Sequence, residues 1–117
     1  MHRDETRTDF GIIKIQKKVI SSIATLAATE IEGVKRVGVN FKNGLWEIIA
    51  QKSLSAVKVE IDKNEEVKLE IPLVIKYGFN VPETANRVQE SVRVALEKMT
   101  NLSIRDININ VQGIEKE

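Results

Sequence analysis

The strongest constraint on the fold is an eleven-residue run of strict period two. Val67, Leu69, Ile71, Leu73, Ile75 and Tyr77 alternate with Lys68, Glu70, Pro72, Val74 and Lys76. A repeat of two over that length predicts a long β-strand with one face in a core. Just before it, Val57, Val59 and Ile61 alternate with Lys58, Glu60 and Asp62, and only Lys63-Asn64-Glu65-Glu66 separates the two runs. Four residues are too few for a crossover, so the two strands form an antiparallel hairpin. Pro72 cannot donate to a ladder, which predicts an edge position or a bulge midway along the second strand.

Helices flank this hairpin. Val19, Ile20, Ile23, Leu26, Ala27 and Ile31 recur at steps of three and four, predicting an amphipathic helix over 16–31 that closes at Gly33. Asn80 followed by Val81-Pro82-Glu83 has the order of a cap, an early proline and an acidic third position, so a second helix starts there. Its apolar set is Val81, Ala85, Val88, Val92, Ala95, Leu96 and Met99, and it ends near Thr100-Asn101, where Asn suits a left-handed cap. Ile107, Ile109 and Val111 then alternate with Asn108 and Asn110, predicting a third strand that stops at Gly113. Gly11–Ile15 reads as a short strand or lead-in, Val37–Phe41 as a short strand, and Leu45–Gln51 as a one- or two-turn helix.

The order helix, strand, strand, helix, strand gives an α+β fold: a two-layer sandwich with both helices on one face of a small mixed sheet. One domain is expected over 11–114, with a flexible N-terminal tail over 1–10 and a solvated C-terminal tail over 115–117. Roughly a third of the residues are Val, Ile, Leu or Phe, enough for a core without staples.

The chemistry-bearing residues are sparse. The chain has no cysteine, and its one histidine, His2, lies in the polar start, so thiol and imidazole catalysis have no carrier. The glycines have neither dinucleotide-loop nor phosphate-loop spacing, and no calcium loop or metal-ligand spacing occurs. No catalytic, cofactor-binding or metal residues are assigned, and a non-enzymatic protein is expected. With 18 basic and 17 acidic residues the net charge is +1, which gives no global pull toward nucleic acid or membrane. A small KH-like or RNA-associated module is the rival class. The expected polar sheet face is charge-balanced and has no stacking aromatics, and Lys17-Lys18 with Lys35-Arg36 are the only basic pairs available to it. No apolar stretch reaches the roughly 20 residues a spanning helix needs and the charged start lacks a signal segment, so a cytoplasmic location is expected.

Partner contacts are expected at three positions. Trp46 is the one tryptophan and sits among Leu45, Ile48 and Ile49. Pro72 and outward-facing Lys76 lie on the long strand, which is the expected template for self-pairing by an edge.

Several blocks, taken in order, resemble the bacterial alkaline-shock-protein, or envelope stress response, family. They are Gly11-Ile12-Ile13 leading into Glu30-Ile31-Glu32-Gly33-Val34, Lys52-Ser53-Leu54-Ser55 before Val57, Ile75-Lys76-Tyr77-Gly78, Val81-Pro82-Glu83, and Met99-Thr100-Asn101-Leu102 with Val111-Gln112-Gly113. Asn101 stands where the family usually has Gly, and 38–50 is poorer in glycine than its members. The resemblance implies a cytoplasmic, non-enzymatic protein, abundant under alkaline or cell-wall stress in some members and held at the membrane by a separate anchor protein. It carries over no catalytic or ligand residue and no cofactor. The expected role is that of a scaffold or interaction protein of the envelope stress response, acting through protein contacts and as a homo-oligomer, without inserting into the membrane itself.

Overall fold

A computed structural model describes the backbone of residues 2–38 and 56–116 and the side chains of 16–38 and 56–116. The elements are helix α1 (His2–Thr29), strands β1 (Val34–Val37), β2 (Lys58–Ile61) and β3 (Glu66–Lys76), helix α2 (Val81–Met99) and strand β4 (Ser103–Glu115). The α+β class holds, as does the helix, strand, strand, helix, strand order of the main elements, with β1 the short strand expected near Val37. The expected helix Leu45–Gln51, and Val39 and Phe41 of the expected strand, lie outside the described residues.

The sheet corrects the expected edge role of the long strand. β3 is central: β1 and β2 lie one after the other along one side of it, both antiparallel, and β4 runs parallel along the other. The sheet is therefore mixed. A parallel neighbour needs a crossover of a dozen or more residues, and α2 supplies it between β3 and β4. Pro72 is tolerated at the centre because of where its nitrogen points. Its carbonyl accepts from the Gly38 N–H at 2.9 Å, and nitrogen and oxygen of one strand residue face the same side. The ring nitrogen thus faces the place where β1 ends, with Val37 opposite Leu73, before β2 takes over with Lys58 opposite Glu70.

Both helices cover one face. Ile20, Ala24, Ala27 and Ala28 of α1 and Val88, Val92 and Leu96 of α2 are buried against Val67, Leu69, Ile71 and Leu73 of β3. Several elements depart from expectation. Gly11–Ile15 is helical, since α1 begins at His2. Its buried stripe is narrower than the periodic set: Leu26 is 65% exposed and Val19 47%, because alanines at 24, 27 and 28 bring the helix close to its neighbours and leave only that stripe facing them. Met99 is likewise 69% exposed in the last turn of α2. At the other end of α2, the Asn80 side chain accepts from the Glu83 N–H at 2.9 Å, as its cap position predicts. Asn101 makes no left-handed cap. The helix closes on an extended Thr100, whose N–H and hydroxyl both donate to the Leu96 carbonyl.

β1 starts earlier than the alternation suggested, directly after Gly33, which takes φ 101°. β4 is longer than expected at both ends, and two irregularities explain why. Val67 is opposite Ile104 but Lys68 is opposite Asp106, and Leu73 is opposite Val111 but Val74 is opposite Gly113. Each extra residue flips the side chains that follow to the other face. The first bulge lets Ile104 and Ile107, three apart, both enter the core. The second brings Gly113 and Glu115 onto the uncovered face.

Candidate interaction surface

The face of the sheet away from the helices carries side chains in rows set by the strand register. Lys58 of β2, Glu70 of β3 and Asn108 of β4 form one row, and Glu60, Lys68 and Asp106 the next. These six line a shallow depression of about 390 Å³. Opposite charges sit directly across from one another along β2 and β3, an arrangement that stabilises pairing by a few tenths of a kcal/mol per pair, up to about 1. They also alternate along each strand, so the face presents a chequered field with no basic groove. The polar face expected from the sequence is largely this one.

Asp62 closes the β2–β3 hairpin. Its Oδ1 accepts from the Asn64 N–H at 2.8 Å and the Glu66 N–H at 3.0 Å. These backbone donors, that of Glu66 foremost, hold its carboxyl below the usual carboxylate range, with smaller support from Arg105 and Lys68. Glu65 completes the turn with φ 62°, the one described non-glycine residue in left-handed backbone.

At the opposite end of the sheet, Arg36 and Glu115 form two hydrogen bonds of 2.9 and 2.7 Å. Arg36 is opposite Val74 and Glu115 is opposite Lys76, so the pair reaches across the central strand on the uncovered face. Gly113, next to Val74, puts no side chain in the path. Val74 is fully buried although its neighbours on that face, Pro72 and Lys76, are not. The hydrogen bonds that Arg36 donates to Glu115 raise its pKa further above an already high value. The expectation of a solvated tail therefore fails at Glu115, which ends β4 and is ion-paired.

Of the expected contact residues, Pro72 and Lys76 lie on the uncovered face, and Pro72 lines a second depression of about 330 Å³ with Lys58, Glu70 and Asn110. Trp46 lies outside the described residues. The basic pairs do not join into a patch. Lys17 and Lys18 fall in the middle of α1, not at its end, while Arg36 is held by Glu115 and the Lys35 Nζ donates to the Lys116 carbonyl at 2.7 Å.

The outer edge of β4 is the feature that the sequence reading missed. Two side chains of α2 reach its first half: Gln89 Nε2 donates to the Ile107 carbonyl at 2.6 Å and Arg93 Nη1 to the Ile104 carbonyl at 3.3 Å. Beyond Ile107 the backbone of Ile109 and Val111 shares that outward direction, by the alternation of the strand. The available signal was charge, since Ile107–Ile114 contains no ionisable residue.

Comparison with known proteins covers nearly the whole chain. Residues 5–116 match the model of the alkaline-shock-protein family, described as having a cell envelope-related function. The uncharacterized protein YqhY of Bacillus subtilis is 34% identical over 113 residues, covering 96% of this chain and 83% of its own. The uncharacterized protein YloU of the same organism is 31% identical, covering 94% of this chain and 93% of its own. A stress response regulator gls24 homolog of Streptococcus pyogenes is 27% identical, and the match spans 97% of this chain and 64% of that protein. Among solved structures, a variant of the MamM C-terminal domain superposes with a TM-score of 0.51 at 12% identity, covering 82% of this chain and 95% of that one. Such a likeness concerns the fold alone. One related MamM structure is a nickel form, whereas no group of three His, Cys, Asp or Glu that could hold a metal occurs among the described residues here. Nor is any described helix long and apolar enough to cross a membrane.

Proposed function

The chain belongs to the alkaline-shock-protein family, whose function is envelope-related, and from that premise we propose that it is a non-enzymatic scaffold of the envelope stress response. In this reading it acts in the cytoplasm through protein contacts and self-association, and reaches the membrane by way of a protein partner. The observation that carries the reading is the uncovered sheet face, with the rows Lys58-Glu70-Asn108 and Glu60-Lys68-Asp106. A face of alternating charge suits a complementary folded protein, because each row penalises a partner of uniform charge. Nucleic acid, with its uniform phosphate charge, fits this face poorly. Pro72 and Lys76 extend the same face and are assigned as contacts. Trp46 is assigned as a third contact on its residue type.

The test is affinity capture of the tagged protein from cross-linked source cells, with proteins and nucleic acid in the eluate both identified. The expected result is a membrane protein with a cytoplasmic segment, recovered by the native chain and lost with the charge-inverting pair Lys68→Glu and Glu70→Lys. Ribosomal components or RNA, released by nuclease and unaffected by that pair, would overturn the reading in favour of a nucleic-acid-binding module.

A further inference from the structure

We infer that the outer edge of β4 is the surface by which two copies of this chain join, in an antiparallel pairing centred on Asn110. The inference rests on the self-association proposed above and names its site. Four observations lead to it. First, among the described residues β4 is paired only on its β3 side, and the described α2 side chains that reach its outer side stop at Ile107. Second, the stretch beyond, Ile107-Asn108-Ile109-Asn110-Val111-Gln112-Gly113-Ile114, has neither charge nor proline, the two usual guards of an exposed strand. The opposite edge is guarded, with Lys35 and Arg36 in β1 and Lys58 and Glu60 in β2.

Third, the register is determined. The outward backbone groups left between the occupied Ile107 carbonyl and the bulge after Val111 are those of Ile109 and Val111. A two-fold axis at Asn110 is the arrangement that pairs each with the other: Ile109 of one copy opposite Val111 of the second, and the reverse, with four main-chain hydrogen bonds. Fourth, the side chains suit that register. On the helix face Ile109 and Val111, both half-buried, meet their counterparts and complete their burial. On the uncovered face Asn110 meets Asn110, and Asn108 meets Gln112, with no like charges opposed. The joined sheet is continuous across the two copies, and the chequered face is doubled in area.

The absence of cysteine makes a clean test possible. Asn110, whose backbone faces β3, falls in a non-hydrogen-bonded pair with Cα atoms about 4.5 Å apart, within disulfide reach. An Asn110→Cys variant is therefore expected to form a covalent dimer under mild oxidation, and a Lys58→Cys control is not. Asn110→Lys, an exposed change that opposes two ammonium groups at the axis, is expected to raise the dimer dissociation constant roughly tenfold or more, with unaltered circular dichroism. Asn110→Ser should leave it within about threefold. Sedimentation of the native chain separates the two possible failures. A monomer at all concentrations overturns self-association itself. A dimer that neither cross-links at position 110 nor responds to Asn110→Lys overturns the β4 edge while leaving self-association by another surface intact.

Discussion

Arg36 and Glu115 lie 79 positions apart in the chain and on opposite sides of β3, yet their side chains meet in a two-pronged ion pair over Val74. The pair fastens β1 to β4 without a backbone hydrogen bond between them. Each side chain is 28% exposed, so solvent screening is partial and the planar fork of Arg36 matches both carboxylate oxygens. A double-mutant cycle with Arg36→Ala and Glu115→Ala is expected to give a coupling of about 1–2 kcal/mol by urea unfolding. Lys in place of Arg36 should recover less than half of it, since an ammonium cannot bind both oxygens in the same geometry.

Leu96 is fully buried between α2 and the sheet, and its truncation leaves a cavity in a close-packed layer. Leu96→Ala is expected to cost about 2–5 kcal/mol in chemical denaturation. Leu26→Ala, on the exposed side of α1, should change stability by less than about 0.5 kcal/mol. Equal costs would show that α1 packs on a different stripe.

Gly33 joins α1 to β1 with φ 101°, and a Cβ placed there would lie 2.8 Å from Phe79 Cδ2 and 2.9 Å from Phe79 Cγ. Gly33→Ala combines backbone strain with displacement of a ring, and is expected to lower stability by about 1–3 kcal/mol. Part of that loss should be regained in the background of Phe79→Ala, which removes the obstructing ring and leaves only the strain. Thermal unfolding of the three variants checks this.

Asp62 supplies a pH dependence of known sign. Its folded-state pKa is lowered, chiefly by the Glu66 N–H, so the stabilisation is fully present above the unfolded value of about 3.9 and disappears as pH falls through the lower folded value. The stability difference between the native chain and Asp62→Ala should therefore be constant near neutrality and shrink below about pH 4. Urea midpoints across that range provide the measurement. A difference that grows on acidification would contradict the hydrogen-bonding pattern of the hairpin turn.

Much of this architecture was readable from period and spacing. β3, its hairpin with β2 and the start of α2 at Asn80 stand where alternation, a four-residue turn and the cap-proline-acid order place them. The neighbours of β3 were not readable, because alternation reports which face of a strand is buried and nothing about which of its two sides is paired. That is why the eleven-residue strand, read as an edge or as bulged at Pro72, is the centre of the sheet. The extent of β4 was hidden by its bulges: Ile104 and Ile107 are three apart, and Val111 and Gly113 face opposite ways, which breaks a period of two. The Arg36–Glu115 pair depends on the second bulge and is invisible to any pattern of local spacing. Lys68, Glu70, Asn108 and Asn110 of the uncovered face were placed correctly, since they follow from strand alternation alone.

The parallel partner of β3 has a consequence for how the protein is made. Residues leave the ribosome in chain order, so β1, β2 and β3 are available well before β4, which follows a whole helix. Until Ser103–Glu115 has been synthesised and threaded alongside, β3 offers an apolar strand with one side bare to any other nascent chain. Completion of the sheet thus waits for β4 to be made, and a polypeptide that stalls after α2 carries an open strand, a template for chaperones or aggregation.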